Sequence, residues 1–233
     1  DAPSQVRAFV AGDAEVFISE DTWYPFGDSI EFTVWTTKPV EFPLYLRIPE
    51  WCRGARIIIN GVDTKAEPEA GSYALIKREW KNSDRVRLEL PMKIETRTWK
   101  KTGDPVSVKR GPLWYSLKIG EEWKRFGGTD DWPAWEILPT TPWNYGLIVD
   151  LEKPETSISL SSQKPPAYQP FTPEAAPVIL RARAKRIPQW QAEGKMAGKV
   201  PVSPTKSDEP VEEITLIPMG CARVRVSVFP LSR

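Results

Sequence analysis

Trp132, Trp135, Trp143 and Tyr145 fall within one short stretch, DDWPAWEILPTTPWNYGL, interleaved with Pro133, Pro139 and Pro142. Flat indole faces suit the apolar faces of sugar rings, so these four residues form a candidate carbohydrate platform on a loop. The same residues also read as structure. A loop with few aliphatic side chains can use indoles to anchor itself to a sheet, and the three prolines reduce the entropy lost on ordering it. The structural reading carries more weight, because buried Trp dominates core packing and nothing in the stretch marks these faces as exposed.

Other chemistries have less to work with. The chain contains no histidine, which removes the commonest general base, most zinc ligand sets and every Ser/His/Asp or Cys/His arrangement. Glycosidic hydrolysis needs two carboxyl groups facing each other across the scissile bond. The adjacent pairs Glu20-Asp21, Glu121-Glu122, Asp130-Asp131 and Glu212-Glu213 suit that poorly, since neighbours on a strand point to opposite faces, and they read as solvated charge. Gly127-Gly128 lacks a phosphate-loop frame and reads as a turn. Asp130 and Asp131 are a weak calcium signal without further spaced oxygen ligands. Cys52 and Cys221 belong to no CxxC pair and read as small buried hydrophobes. No cofactor or metal is expected in this chain, and no catalytic residue is assigned.

Lys and Arg number 32 against 31 Asp and Glu, so no basic field points to nucleic acid. No apolar run reaches the roughly 20 residues of a membrane-spanning helix. The opening DAPSQVRAFV has no signal-peptide pattern. A soluble protein of unread compartment is expected.

The elements that must position these residues are strands. SIEFTVW, PLYLRIP, DRVRLELP and CARVRVSVF alternate apolar and polar residues with a period of two, the pattern of antiparallel sheets with one wet face. Asn60-Gly61 in RIIINGVDTK predicts a type I′ hairpin turn. PEAAPVILRARAKR has helix-forming composition, yet its alternation predicts a strand. The 24 prolines punctuate strand ends, as in LRIP and LELP. Trp23, Trp51, Trp80 and Trp114 are explained by core or inter-domain packing. The fold class expected is all-β: two consecutive antiparallel β-sandwich domains, residues 1–100 and 101–233, the second loop-rich. Its Pro-rich segments are 161–177, an irregular ordered connection, and 188–210, an exposed excursion.

SEDTWYPFGDSIEFTV, VEFPLYLRIPEWCRGARIIINGV, YALIKREWKNSDRVRLELPM, VKRGPLWYSL and ITLIPMGCARVRVSVFP resemble, in order, landmarks of the carboxy-terminal region of bacterial glycoside hydrolase family 127, which includes β-L-arabinofuranosidases. The resemblance implies an amino-terminal (α/α)6 barrel elsewhere in a parent chain, carrying a cysteine nucleophile, an acid/base glutamate and a zinc ion. It implies that this chain holds the two sandwiches, with APSQVRAFV as the first strand beyond the barrel. Cys52 and Cys221 match none of the barrel's cysteines.

The function expected on that basis is a non-catalytic accessory region of a glycoside hydrolase. Its partners would be the barrel of the same chain, a further copy in a homo-oligomer, and L-arabinose-containing glycans. One alternative is a carbohydrate-binding module using Trp132, Trp135, Trp143 and Tyr145. A second is a stand-alone glycosidase using Asp and Glu.

Overall fold

The computed structural model describes residues 2–11, 13–163 and 169–233. Part of the predicted connection 161–177 therefore lies outside the described residues. Strands dominate both compact units, Asp1–Met92 and Lys93–Arg233. The only helical turns among the described residues are three short 3-10 segments.

The first unit contains β1 (Ser4–Val10), β2 (Ala14–Thr22), β3 (Ser29–Thr36), β4 (Val40–Arg47), β5 (Arg56–Ile59), β6 (Val62–Asp63), β7 (Tyr73–Trp80) and β8 (Asp84–Glu89). A six-stranded antiparallel sheet runs β1-β2-β3-β8-β5-β6, and β4 pairs with β7 separately. Alternation explains the layering. Val16, Ile30, Val34, Val86 and Leu88 of the larger sheet share one core with Val40, Phe42, Leu46 and Trp80 of the smaller. This is the predicted sandwich, with sequence period two converted into one dry face per strand. Asn60 and Gly61 take φ angles of 50° and 81°, as a type I′ turn requires, and join β5 to β6.

The second unit contains β9 (Ile94–Thr98), β10 (Val106–Arg110), β11 (Leu113–Leu117), β12 (Glu121–Gly128), β13 (Pro133–Pro139), β14 (Tyr145–Ile148), β15 (Ile158–Ser162), β16 (Val178–Arg186), β17 (Ala192–Glu193), β18 (Met196–Ala197) and β19 (Val211–Pro218). Seven of them form one sheet in the order β14-β16-β19-β11-β10-β9, with β15 also beside β16. Pairing of β9 with β10 ties residues 94–98 to this unit, ahead of the boundary expected near residue 100. VILRARAKR is a strand, β16, with Val178, Leu180, Ala182 and Ala184 buried.

Three expectations are corrected. CARVRVSVF is not a ladder strand: Cys221, Ala222, Val226 and Phe229 are buried, but the segment is fastened at separate points, by Leu117 N–H to Val226 O (2.8 Å) and by a bridge between Val106 and Phe229. Residues 188–210 are not simply an exposed excursion. Trp190 is buried and donates Nε1–H to Gly198 O (2.9 Å), and Ser203 and Ser207 are buried further along. Trp23, assigned to packing from sequence, is exposed.

Candidate functional site

The aromatic stretch is not a loop in its first half. Residues 133–139 form β13, which pairs only with β12 as a free-standing two-stranded ribbon. Pro133 and Pro139 sit at the two ends of β13, where a missing N–H does least harm. The register shifts between Arg125 and Gly127, a bulge next to the tip. Gly128 has φ of 78°, and a Cβ there would lie 2.2 Å from Trp132 O, so only glycine closes this turn. Thr129 and Trp132 complete it: Thr129 N–H donates to Trp132 O and Trp132 N–H to Thr129 Oγ1, both at 3.1 Å.

Pairing places Trp123 opposite Ile137 and Arg125 opposite Trp135, so Trp123, Arg125, Trp135 and Glu121 share the front face. The Trp123 and Trp135 rings meet edge to face, centroids 6.2 Å apart at 72°. Arg223 lies over the Trp123 ring at 5.3 Å and pairs with Glu121 at 2.7 Å. Arg125 pairs with Asp130 at 2.8 Å. On the opposite face Glu136 pairs with Lys195, from the turn between β17 and β18. At the base, Thr140 N–H donates to Gly120 O (2.8 Å) and Gly120 N–H to Thr141 Oγ1 (2.9 Å).

The four aromatic residues singled out from the sequence do not form one platform. Trp132, at the tip, is 83% exposed, and Trp135, on the front face, is 45% exposed. Trp143 is half-buried and packs edge to face on Trp190, centroids 5.2 Å apart. Tyr145 is 6% exposed and donates its hydroxyl proton to Glu212 at 2.8 Å. Within the stretch Trp143 and Tyr145 hold structure together, while Trp132 and Trp135 face solvent. Sequence reasoning missed Trp123, 48% exposed, and Phe126, 70% exposed. Two short runs, EEWKRFGG and PAWEILP, with Gly127-Gly128 closing the first and only four residues between them, carried the hairpin signal that would have found them.

A second surface lies on the first unit. Arg7, Phe17 and Trp35 align in one row across β1, β2 and β3, on the outer side of the sheet. With Glu15, Thr36, Thr37 and Asn82 they line an open cleft of about 600 Å³.

The titratable groups elsewhere are structural. Burial pushes the Cys221 thiol up to about 11 and also raises Cys52, so both cysteines are buried neutral thiols. Within the acidic pairs, Glu121 is held by Arg223, Asp130 by Arg125, Glu212 by Tyr145 and Glu213 by Arg181. The zinc implied by the family resemblance has no donor set here: among the described residues no three His, Cys, Asp or Glu side chains gather. No helix among them is long and apolar enough to cross a membrane. What does converge, on the ribbon, is exposed aromatic surface beside fixed hydrogen-bonding groups.

Residues 2–92 match the family model described as beta-L-arabinofuranosidase, GH127 middle domain. Among solved structures, the chain is similar to a GH127 beta-L-arabinofuranosidase from Geobacillus stearothermophilus T6, at 25% identity and a TM-score of 0.63, with 99% of this chain covering 32% of that one. A protein described as a glycoside hydrolase follows at 24% identity and a TM-score of 0.60, with 98% of this chain on 34% of that one. A GH127 beta-arabinofuranosidase shares the fold at 16% identity and a TM-score of 0.63, with 97% of this chain on 33% of that one. The chain thus spans about a third of the length of these structures. No curated protein matches it.

Proposed function

We propose that this chain is the non-catalytic β region of a glycoside hydrolase of the GH127 type, supporting a catalytic (α/α)6 barrel that belongs to the same parent protein. The observation that carries this is one of coverage. Nearly all of the chain aligns with about a third of a beta-L-arabinofuranosidase, and its first unit matches a domain described as the middle one of that family. A middle domain has neighbours on both sides; the first unit here corresponds to it, and the second supplies the neighbour on one side. The hydrolytic residues and the zinc then belong to the barrel, and L-arabinose-containing glycans are the substrate class of the parent.

The intact mass of the native protein in its source organism tests this. The expected mass is several times the 26.4 kDa of this chain. A native protein of 26.4 kDa would overturn the proposal and leave the chain to act by itself.

A further inference from the structure

We propose that the front face of the β12–β13 ribbon is a binding site for a neutral oligosaccharide. This goes beyond the accessory role above, and only the choice of an arabinoside as one probe rests on it.

Four aromatic side chains on this ribbon, Trp123, Phe126, Trp132 and Trp135, keep about half or more of their surface in water. Elsewhere in the unit Tyr115, Trp190 and Phe229 are spent on packing, while Phe171 is an exposed ring outside the ribbon. On the ribbon, Trp123 and Trp135 stand at 72° and form a corner, a shape that takes one sugar ring against an indole face with the second indole as a wall. Trp132, and Phe126 in the bulge, extend apolar surface to the tip.

A sugar also needs hydrogen-bonding groups beside its apolar face, and these are held in place. The Arg125 guanidinium is fixed by Asp130 (2.8 Å) and Gly128 O (3.3 Å). The Arg223 guanidinium is fixed by Glu121 (2.7 Å) and by the Trp123 ring. Each guanidinium has five N–H donors, so these partners leave donors free for hydroxyl groups.

Charge selects the ligand class. The front-face cations Arg125 and Arg223 are matched by Asp130 and Glu121, pair by pair. Such a face offers no net field to a polyanion or an acidic peptide, and fits an uncharged, hydroxyl-rich ligand. Order is established before binding as well. The ribbon is tied on its front by Arg223, on its back by Lys195, at its base by Gly120 with Thr140 and Thr141, and at its tip by the Thr129–Trp132 turn. Little conformational entropy remains to be lost when a ligand docks.

The test is calorimetric titration of the chain, with tryptophan fluorescence alongside, using a β-L-arabinofuranosyl disaccharide, xylohexaose and cellohexaose as probes. Saturable binding of at least one is expected. Trp135→Ala and Trp123→Ala should each weaken it about tenfold. Trp35→Ala, in the cleft of the first unit, should leave it unchanged. Trp132→Ala, at the most exposed position, guards against loss of folding and should weaken binding without moving the melting temperature.

Binding of xylohexaose or cellohexaose without the arabinoside upholds the ribbon site and counts against the arabinoside assignment of the parent. No binding of any probe overturns the proposal, as does binding that survives both Trp135→Ala and Trp123→Ala or is lost in Trp35→Ala. Concentration-dependent self-association abolished by Trp132→Ala, with no sugar bound, would assign the ribbon to a second copy of the chain and also overturn it.

Discussion

Tyr145 donates its phenolic proton to Glu212 across 2.8 Å, from β14 to β19 with β16 between them. Burial, reinforced by this hydrogen bond to a carboxylate, pushes the Tyr145 phenol up to about 12. A phenol held neutral more firmly in the fold than in the unfolded chain contributes fully below the ordinary value of about 10, and that contribution is lost as pH climbs to the folded value. Burial also raises Tyr115 to about 12, so the two share one window. Tyr145→Phe should remove part of the stability lost between these limits, measured by urea unfolding in mildly and in strongly alkaline buffer. An unchanged slope would count against the pairing.

Tyr115 differs in one respect: its hydroxyl is buried with no hydrogen-bond partner among the described residues. An unsatisfied buried hydroxyl costs on the order of 1–3 kcal/mol. Tyr115→Phe keeps the ring and deletes that group, so thermal unfolding should show a second unit at least as stable as before.

Trp80 is the largest fully buried side chain of the first unit, packed at a 30° tilt against Phe42 with ring centroids 5.6 Å apart and donating Nε1–H to Phe42 O at 3.0 Å. Trp80→Ala opens a cavity between the two sheets and should cost about 3–5 kcal/mol. Chemical denaturation, followed by a probe confined to residues 1–92, reads this directly.

Asp84 ties the Asn60-Gly61 turn to the start of β8. Its carboxylate accepts from Asn60 Nδ2 (2.8 Å) and from Lys81 N–H (2.9 Å), with Arg78 at 3.5 Å. Burial alone would raise its pKa, but these partners outweigh burial and hold it below the usual carboxylate range. The sign follows: stability is present above the unfolded value of about 3.9 and is lost as pH falls below it. Asp84→Asn should cost on the order of 1–3 kcal/mol at neutral pH and make acid unfolding of the first unit less steep. The acid limb of the melting curve, with and without the substitution, checks both.

How far the sequence reaches is clearest at the turns and the tryptophans. The Asn60-Gly61 hairpin and the alternating strands were legible because backbone sterics and one-sided burial leave a local trace. Of the tryptophan stretch, only the composition was legible. Whether an indole faces water depends on which strand pairs with which, and neither the β12–β13 register nor the seat of Trp143 on Trp190 is written locally. CARVRVSVF misled for a related reason. Its alternation is that of a strand, but single hydrogen bonds such as Leu117 N–H to Val226 O take the place of a ladder. Residues 188–210 looked detached because their polar composition hid one anchor, Trp190.

The central claim is that this chain contributes no chemistry of its own to a glycoside hydrolase. The most direct measurement is hydrolysis of 4-nitrophenyl β-L-arabinofuranoside by the purified chain beside the full-length parent protein. Turnover by the parent and none by the chain, at any chain concentration, is the expected result. Saturable turnover that rises with the concentration of the chain alone would contradict it.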